Sequence, residues 1–127
     1  MAYVRPISKT TWYLKDRNYT IHMINELTSV FVAILSLTLL WGIGAVASGP
    51  EAYQAFLDSL SSPGMLLLLW ITTIAMFYHA FAWFKVTPKA MPIQKGEEFV
   101  AGSIIAGAHY VVWAVLTLVV LFLAGVF

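Results

Sequence analysis

The residues most able to do chemistry in this chain are a carboxylate, two imidazoles and an indole inside apolar sequence. Glu26 lies near the start of the first long apolar stretch, with His22 four residues before it. His79 lies near the end of the second stretch, with Trp83 four residues after it. Residues four apart share a face of an α-helix. A carboxylate and a histidine exchange protons, and an indole packs against rings. The set is therefore suited to a small ring that carries two oxygens.

These residues lie in two of three long apolar stretches, which predict membrane-spanning helices. Of the 127 residues, 61% are hydrophobic and 10% are charged, whereas soluble domains contain about 25% charged residues. An apolar helix of roughly 20 residues crosses a bilayer. The predicted fold is an all-α membrane protein, a single membrane-anchor domain over residues 1–127 with spans at 21–47, 65–84 and 99–127.

The segments between the spans contain the polar and helix-breaking residues. Residues 1–20 form a basic, aromatic tail that we expect on the membrane surface. Residues 50–62 predict a short amphipathic helix in the interface, because apolar residues recur at i, i+3, i+4 and i+7 from Tyr53. Residues 85–98 predict a loop punctuated by Pro88, Pro92 and Gly96.

The distribution of basic residues predicts the orientation. All seven lie before the first span or between the second and third. The positive-inside rule then places the N-terminus and the 85–98 loop in the cytoplasm and the C-terminus on the opposite side. We expect a bacterial inner membrane, in which that opposite side is the periplasm. Glu26 and His79 would each lie about five residues inside the cytoplasmic ends of their spans, roughly 7 Å deep. The pattern predicts one site near the cytoplasmic face.

Composition excludes several other kinds of site. The chain has no cysteine, so disulfides, thiolate metal ligands and a cysteine nucleophile are excluded. Any iron–sulfur cluster would have to be held by another chain. The net charge of +1 gives no sign of a nucleic-acid partner. We expect no metal site formed by this chain.

Each polar residue also has an ordinary structural explanation. Glu26 can extend to the interface, and His22, His79 and Trp83 can be interfacial anchors. His109, about ten residues into the third span, is expected to hydrogen-bond a neighbouring helix more readily than to bind haem iron. Hydroxyl side chains in the spans can donate to carbonyls of their own helix. The residues expected to do so are Ser36, Thr38, Thr72, Thr73 and Thr117.

The chain also resembles a known family along nearly its whole length. The matching residues are Tyr3-Val4-Arg5-Pro6, Glu26, Thr28, Gly49-Pro50-Glu51-Ala52, Phe56, Asp58, Leu60, Pro63, His79, Trp83-Phe84, Pro88-Lys89-Ala90 and Trp113-Ala114-Val115. In this order they are similar to the C-type membrane anchors of haem-free quinol:fumarate reductases.

The resemblance implies a component of a four-subunit complex that is not catalytic alone. A flavoprotein subunit would reduce fumarate, an iron–sulfur subunit would carry electrons, and a second three-span anchor would pair with this one. Flavin and iron–sulfur clusters would lie only in the partner subunits, and no haem is expected. Menaquinol or another quinol would be oxidised at a site shared between subunits.

The resemblance also implies roles for individual residues. A glutamate at the position of Glu26 helps to take up quinol protons, and a histidine and tryptophan matching His79 and Trp83 line the same pocket. The family has an arginine beside the glutamate, where this chain has Asn25. The quinone-binding and proton-uptake residues expected here are Glu26, His79, Trp83 and Asn25.

Three alternatives follow from the same residues. One is a haem b-binding anchor of a succinate dehydrogenase, with His79 or His109 as the iron ligand. Another is a small proton-coupled transporter using Glu26, although the chain lacks the internal repeats typical of transporters. The third is an anchor that docks its partners and binds no quinone.

Overall fold

Long apolar helices dominate the computed structural model, which describes residues 6–127. A 3₁₀ turn, Trp12–Leu14, precedes four helices: α1 (Arg17–Ser48), α2 (Pro50–Leu60), α3 (Pro63–Ala90) and α4 (Gly102–Leu123). Helices α1, α3 and α4 are each long and apolar enough to cross a membrane. The predicted all-α fold, with three membrane helices and a short helix between the first two, is confirmed. Tyr3-Val4-Arg5 of the tail lies outside the described residues.

Helix α1 begins at Arg17, four residues before the predicted span, because Asp16 caps it. The Asp16 carboxylate accepts a hydrogen bond from the Asn18 backbone N–H at 2.7 Å. Such a cap satisfies one of the unpaired N–H groups at a helix start. The Trp12 ring meets Tyr19 edge-on, with centroids 5.5 Å apart. The end of the aromatic tail is thereby ordered against the first turn of α1.

The chain divides into two compact units, Met1–His79 and Ala80–Phe127, so that α3 contributes to both. In the first unit, the chain turns between α1 and α2 at Gly49, whose φ of +115° suits glycine. Buried Phe56 of α2 then packs over Gly42 of α1, where an added Cβ would lie 2.9 Å from the ring Cζ. The Trp41 ring also meets Phe56 edge-on at 4.8 Å. One aromatic ring over a glycine therefore fixes the short helix to the end of α1.

In the second unit, α3 continues to Ala90, past Phe84, the last residue of the predicted span. Pro88 lies inside the helix, whereas the sequence places it in a loop. A proline in the last turn removes a single helical hydrogen bond close to the end, so the helix tolerates it there. Gly102 starts α4 against this proline, with an added Cβ 3.1 Å from Pro88 Cβ.

A small hairpin replaces part of the predicted 85–98 loop. Strand β1 (Gln94–Lys95) pairs antiparallel with β2 (Glu98–Phe99). Gly96 begins the two-residue turn with a φ of +68°, as glycine does in a type II′ hairpin turn. Because Phe99 belongs to a strand, α4 begins at Gly102, three residues after the predicted start of the span.

Replacing Gly42 with alanine should weaken the packing of α2 on α1. We expect Gly42→Ala to lower the free energy of unfolding by about 1–3 kcal/mol, because the new methyl group overpacks the Phe56 ring. An SDS titration of the protein in mild detergent, followed by tryptophan fluorescence, would measure this change.

The matched control is Gly44→Ala, because an added Cβ at Gly44 meets nothing within 4 Å. Both substitutions remove a glycine from the same helix, so any gain in helix propensity, about 1 kcal/mol, is shared. Equal stabilities for the two variants would contradict the packing of Phe56 on Gly42.

Candidate functional site

Four polar side chains join α1 and α3 in the first unit. The Tyr78 hydroxyl donates to Asn25 Oδ1 at 3.0 Å, and Thr28 Oγ1 lies 2.8 Å from His79 Nδ1. Thr28 is buried, and Asn25 and His79 are half-buried. Asn25 and Thr28 share one face of α1, because they are three residues apart. We call Asn25, Thr28, Tyr78 and His79 the polar cluster.

Glu26 lies beside His22 and points away from Thr28. Glu26 Oε1 lies 3.9 Å from His22 Nε2, and the side chains of His22 and Glu26 are 66% and 51% exposed. Two residues along a helix correspond to a rotation of roughly 200°, so Glu26 and Thr28 occupy nearly opposite faces of α1. The structure therefore places Glu26 in an accessible pair with His22, outside the polar cluster.

Trp83 lies one helical turn after His79 on α3, within the second unit. Its side chain is exposed. The spacing of four residues keeps Trp83 on the His79 side of the helix, as the sequence predicts.

His109 lies in α4 and hydrogen-bonds its own helix. Its Nδ1 lies 2.8 Å from the Ile105 carbonyl oxygen, so the Nδ1–H group donates a hydrogen bond to that oxygen. The expected bond to a neighbouring helix is thus wrong, because a carbonyl one turn earlier is within reach. The bond makes Nε2 the nitrogen that would bind iron in the haem alternative.

A groove of about 360 Å³ lies beside His109 in the second unit. Its lining residues are Phe84, Ala108, His109, Val112, Trp113 and Leu116. Phe84 packs against His109 with ring centroids 5.6 Å apart, and against Tyr110 at 5.2 Å. Aromatic packing thus holds the last turns of α3 to α4.

Most of the other span hydroxyls donate to carbonyls four residues earlier, as predicted. The confirmed pairs are Ser36 with Val32, Thr38 with Ile34, Thr73 with Leu69 and Thr117 with Trp113. Thr72 is the exception: it is 2% exposed, and within residues 6–127 its Oγ1 has no hydrogen-bond partner. The expectation for Thr72 is therefore wrong.

Comparison with known proteins identifies the family. The family model for the C subunit of fumarate reductase matches residues 1–125. The chain belongs to the family of fumarate reductase C subunits. The fumarate reductase C subunits of the Mycobacterium tuberculosis strains H37Ra, H37Rv and CDC 1551 are each 34% identical to it over 120 residues. The match covers 94% of this chain and 94% of each relative. This family member is thus a multi-pass membrane anchor in a complex with other fumarate reductase subunits.

Sequence reasoning found two members of the polar cluster and missed the role of the other two. It selected Asn25, which the structure joins to Tyr78, and His79, which the structure joins to Thr28. Thr28 stood out only as part of the family resemblance, and Tyr78 not at all. The available signals were the i, i+3 spacing of Asn25 and Thr28 in an apolar helix, and the position of Tyr78 beside His79.

The contact between Tyr78 and Asn25 should appear as a coupling energy in a double-mutant cycle. We expect Asn25→Ala and Tyr78→Phe to couple by about 0.5–1 kcal/mol, since side-chain hydrogen bonds between membrane helices average near the lower value. SDS titration of the wild type, the two single variants and the double variant would measure the coupling. Fully additive effects would argue against this hydrogen bond.

Proposed function

We propose that this chain is the anchor of a quinol:fumarate reductase and helps to form its quinol oxidation site. It would dock the flavoprotein and iron–sulfur subunits at the cytoplasmic face of a bacterial inner membrane, beside a second three-span anchor. The observation that carries this proposal is the polar cluster, which joins two helices of a fumarate reductase anchor at His79. Family membership supports the partners, and the basic residues support the orientation.

The proposed reaction balances across the subunits. Oxidation of one quinol, for which menaquinol is the expected molecule, releases two electrons and two protons. The electrons would pass through the iron–sulfur subunit to the flavoprotein subunit, which would reduce fumarate, with two protons, to succinate. The two quinol protons leave towards the cytoplasm. This chain contributes groups that bind the quinol and accept its protons.

The described side chains support a division of roles. His79 hydrogen-bonds a quinol oxygen, and Trp83, one turn later, orients the ring. Glu26 accepts a proton, and its exposed position beside His22 leads that proton towards water. Asn25, held by Tyr78, supplies a neutral amide where the family has an arginine.

Removing the Glu26 carboxylate should slow quinol oxidation selectively. In the assembled complex, we expect Glu26→Gln to lower the quinol-dependent rate by about 10- to 100-fold, since a positioned proton acceptor contributes at least that much. Fumarate reduction by a soluble reduced dye should be unchanged, because that route bypasses the anchor. Steady-state rates with each electron donor would make the comparison.

Glu51→Gln is the matched control, because Glu51 is an exposed carboxylate in the first turn of α2. It should leave both rates unchanged. If the quinol-dependent rate of Glu26→Gln equals that of the wild type, Glu26 does not accept the quinol proton.

The proposed orientation can be tested with single thiols, because the chain has no cysteine. Ser61→Cys and Gln94→Cys replace exposed residues that precede and follow α3 in the chain. A membrane-impermeant maleimide should label Ser61→Cys in intact spheroplasts, and Gln94→Cys only after SDS is added. Labelling of Gln94→Cys in intact spheroplasts, and of Ser61→Cys only after SDS, would show the opposite orientation and contradict the proposal.

A further inference from the structure

The Thr28 hydroxyl contacts two groups but has one proton to donate. Thr28 Oγ1 lies 2.5 Å from the Asn25 carbonyl oxygen and 2.8 Å from His79 Nδ1. A backbone carbonyl can only accept a hydrogen bond. Two oxygens at such a short separation need a proton between them, so the Thr28 proton lies towards Asn25.

This arrangement determines how the His79 ring is protonated. Because the Thr28 proton is committed to Asn25, Thr28 Oγ1 can only accept from His79. His79 Nδ1 must then carry a proton and donate it. In a neutral imidazole with a proton on Nδ1, Nε2 is the nitrogen that accepts hydrogen bonds.

We propose that Thr28 is a positioning residue that holds His79 in the Nδ1-protonated tautomer and thereby makes the site prefer quinol over quinone. This inference rests on the proposed role of His79 in binding the quinol. A quinol hydroxyl can donate to Nε2, whereas a quinone has only carbonyl acceptors. An accepting nitrogen therefore favours the reduced form of the ring, which is the form the enzyme must oxidise.

Burial supports this role for Thr28. Thr28 is 7% exposed, so water has little access to replace either of its contacts. Thr38, on the same helix, illustrates the ordinary behaviour, since its hydroxyl donates to the Ile34 carbonyl. Thr28 also donates within α1, but its oxygen additionally accepts a hydrogen bond from the His79 ring on α3.

The test compares Thr28→Val, which keeps the side-chain shape and removes the hydroxyl, with Thr28→Ser, which keeps the hydroxyl. The assembled complex in native membranes is assayed with menadiol as donor and menadione as product inhibitor. We expect Thr28→Val to lower the ratio of the menadione Ki to the menadiol KM about tenfold, the effect of roughly 1.4 kcal/mol. Thr28→Ser and the control Thr38→Val should keep the wild-type ratio, and dye-driven fumarate reduction should be normal in all three.

A second measurement reads the tautomer directly and does not depend on quinol. Solid-state ¹⁵N NMR of the histidine-labelled complex distinguishes protonated from bare imidazole nitrogens. The chain has three histidines, and the His79 signal is the one that disappears in His79→Gln. We expect a protonated Nδ1 in the wild type and a mixture of tautomers in Thr28→Val.

The outcomes separate this inference from the proposed function. A bare Nδ1 on His79, or an unchanged inhibition ratio in Thr28→Val, would overturn the role of Thr28. Quinol kinetics that are unchanged in His79→Gln would instead overturn the proposed role of His79 itself. A lowered ratio of menadione Ki to menadiol KM in Thr28→Val, together with the wild-type ratio in Thr28→Ser, would support the roles of both Thr28 and His79.

Discussion

Polar side chains in the apolar helices are stabilised by hydrogen-bond partners within the protein, because lipid hydrocarbon offers none. Two solutions occur. Hydroxyls such as those of Thr38 and Thr73 bond a carbonyl of their own helix and leave helix–helix packing unconstrained. Asn25 bonds a side chain of α3, and Thr28 bonds one in addition to a carbonyl of its own helix. Only the second solution fixes which faces of α1 and α3 meet. It also places His79 Nδ1 against the buried Thr28 hydroxyl.

Glu26 obeys the same constraint differently. A carboxylate at this depth is costly in hydrocarbon unless water or protein reaches it. The structure leaves Glu26 exposed beside His22, on the face of α1 opposite Thr28. The Glu26 carboxylate and the His79 imidazole therefore occupy separate surfaces of the first unit. In the proposed function, His79 of the polar cluster binds the quinol, whereas Glu26 passes a quinol proton to water.

The sequence predicted the elements well and their contacts poorly, for physical reasons. Uncharged runs determine where membrane helices occur, so all three long helices were predicted. Helix ends depend on local capping and turns: the Asp16 cap lengthened α1, and α3 tolerated Pro88 near its end. The partners of Thr28 depend on how two helices are rotated against each other, which the pattern of one helix does not encode. Thr72 was also mispredicted, because its buried hydroxyl lacks the expected bond to its own helix.

The hairpin after α3 also affects how tightly another subunit could bind. Pairing of Gln94–Lys95 with Glu98–Phe99 orders the connection before any partner arrives. Ordering a flexible segment on association costs conformational entropy and weakens binding. In the proposed function this connection faces the cytoplasm, where the catalytic subunits would dock. In that arrangement, a turn already fixed by Gly96 would spare the entropic cost, and more of the contact energy would be retained as affinity between the subunits.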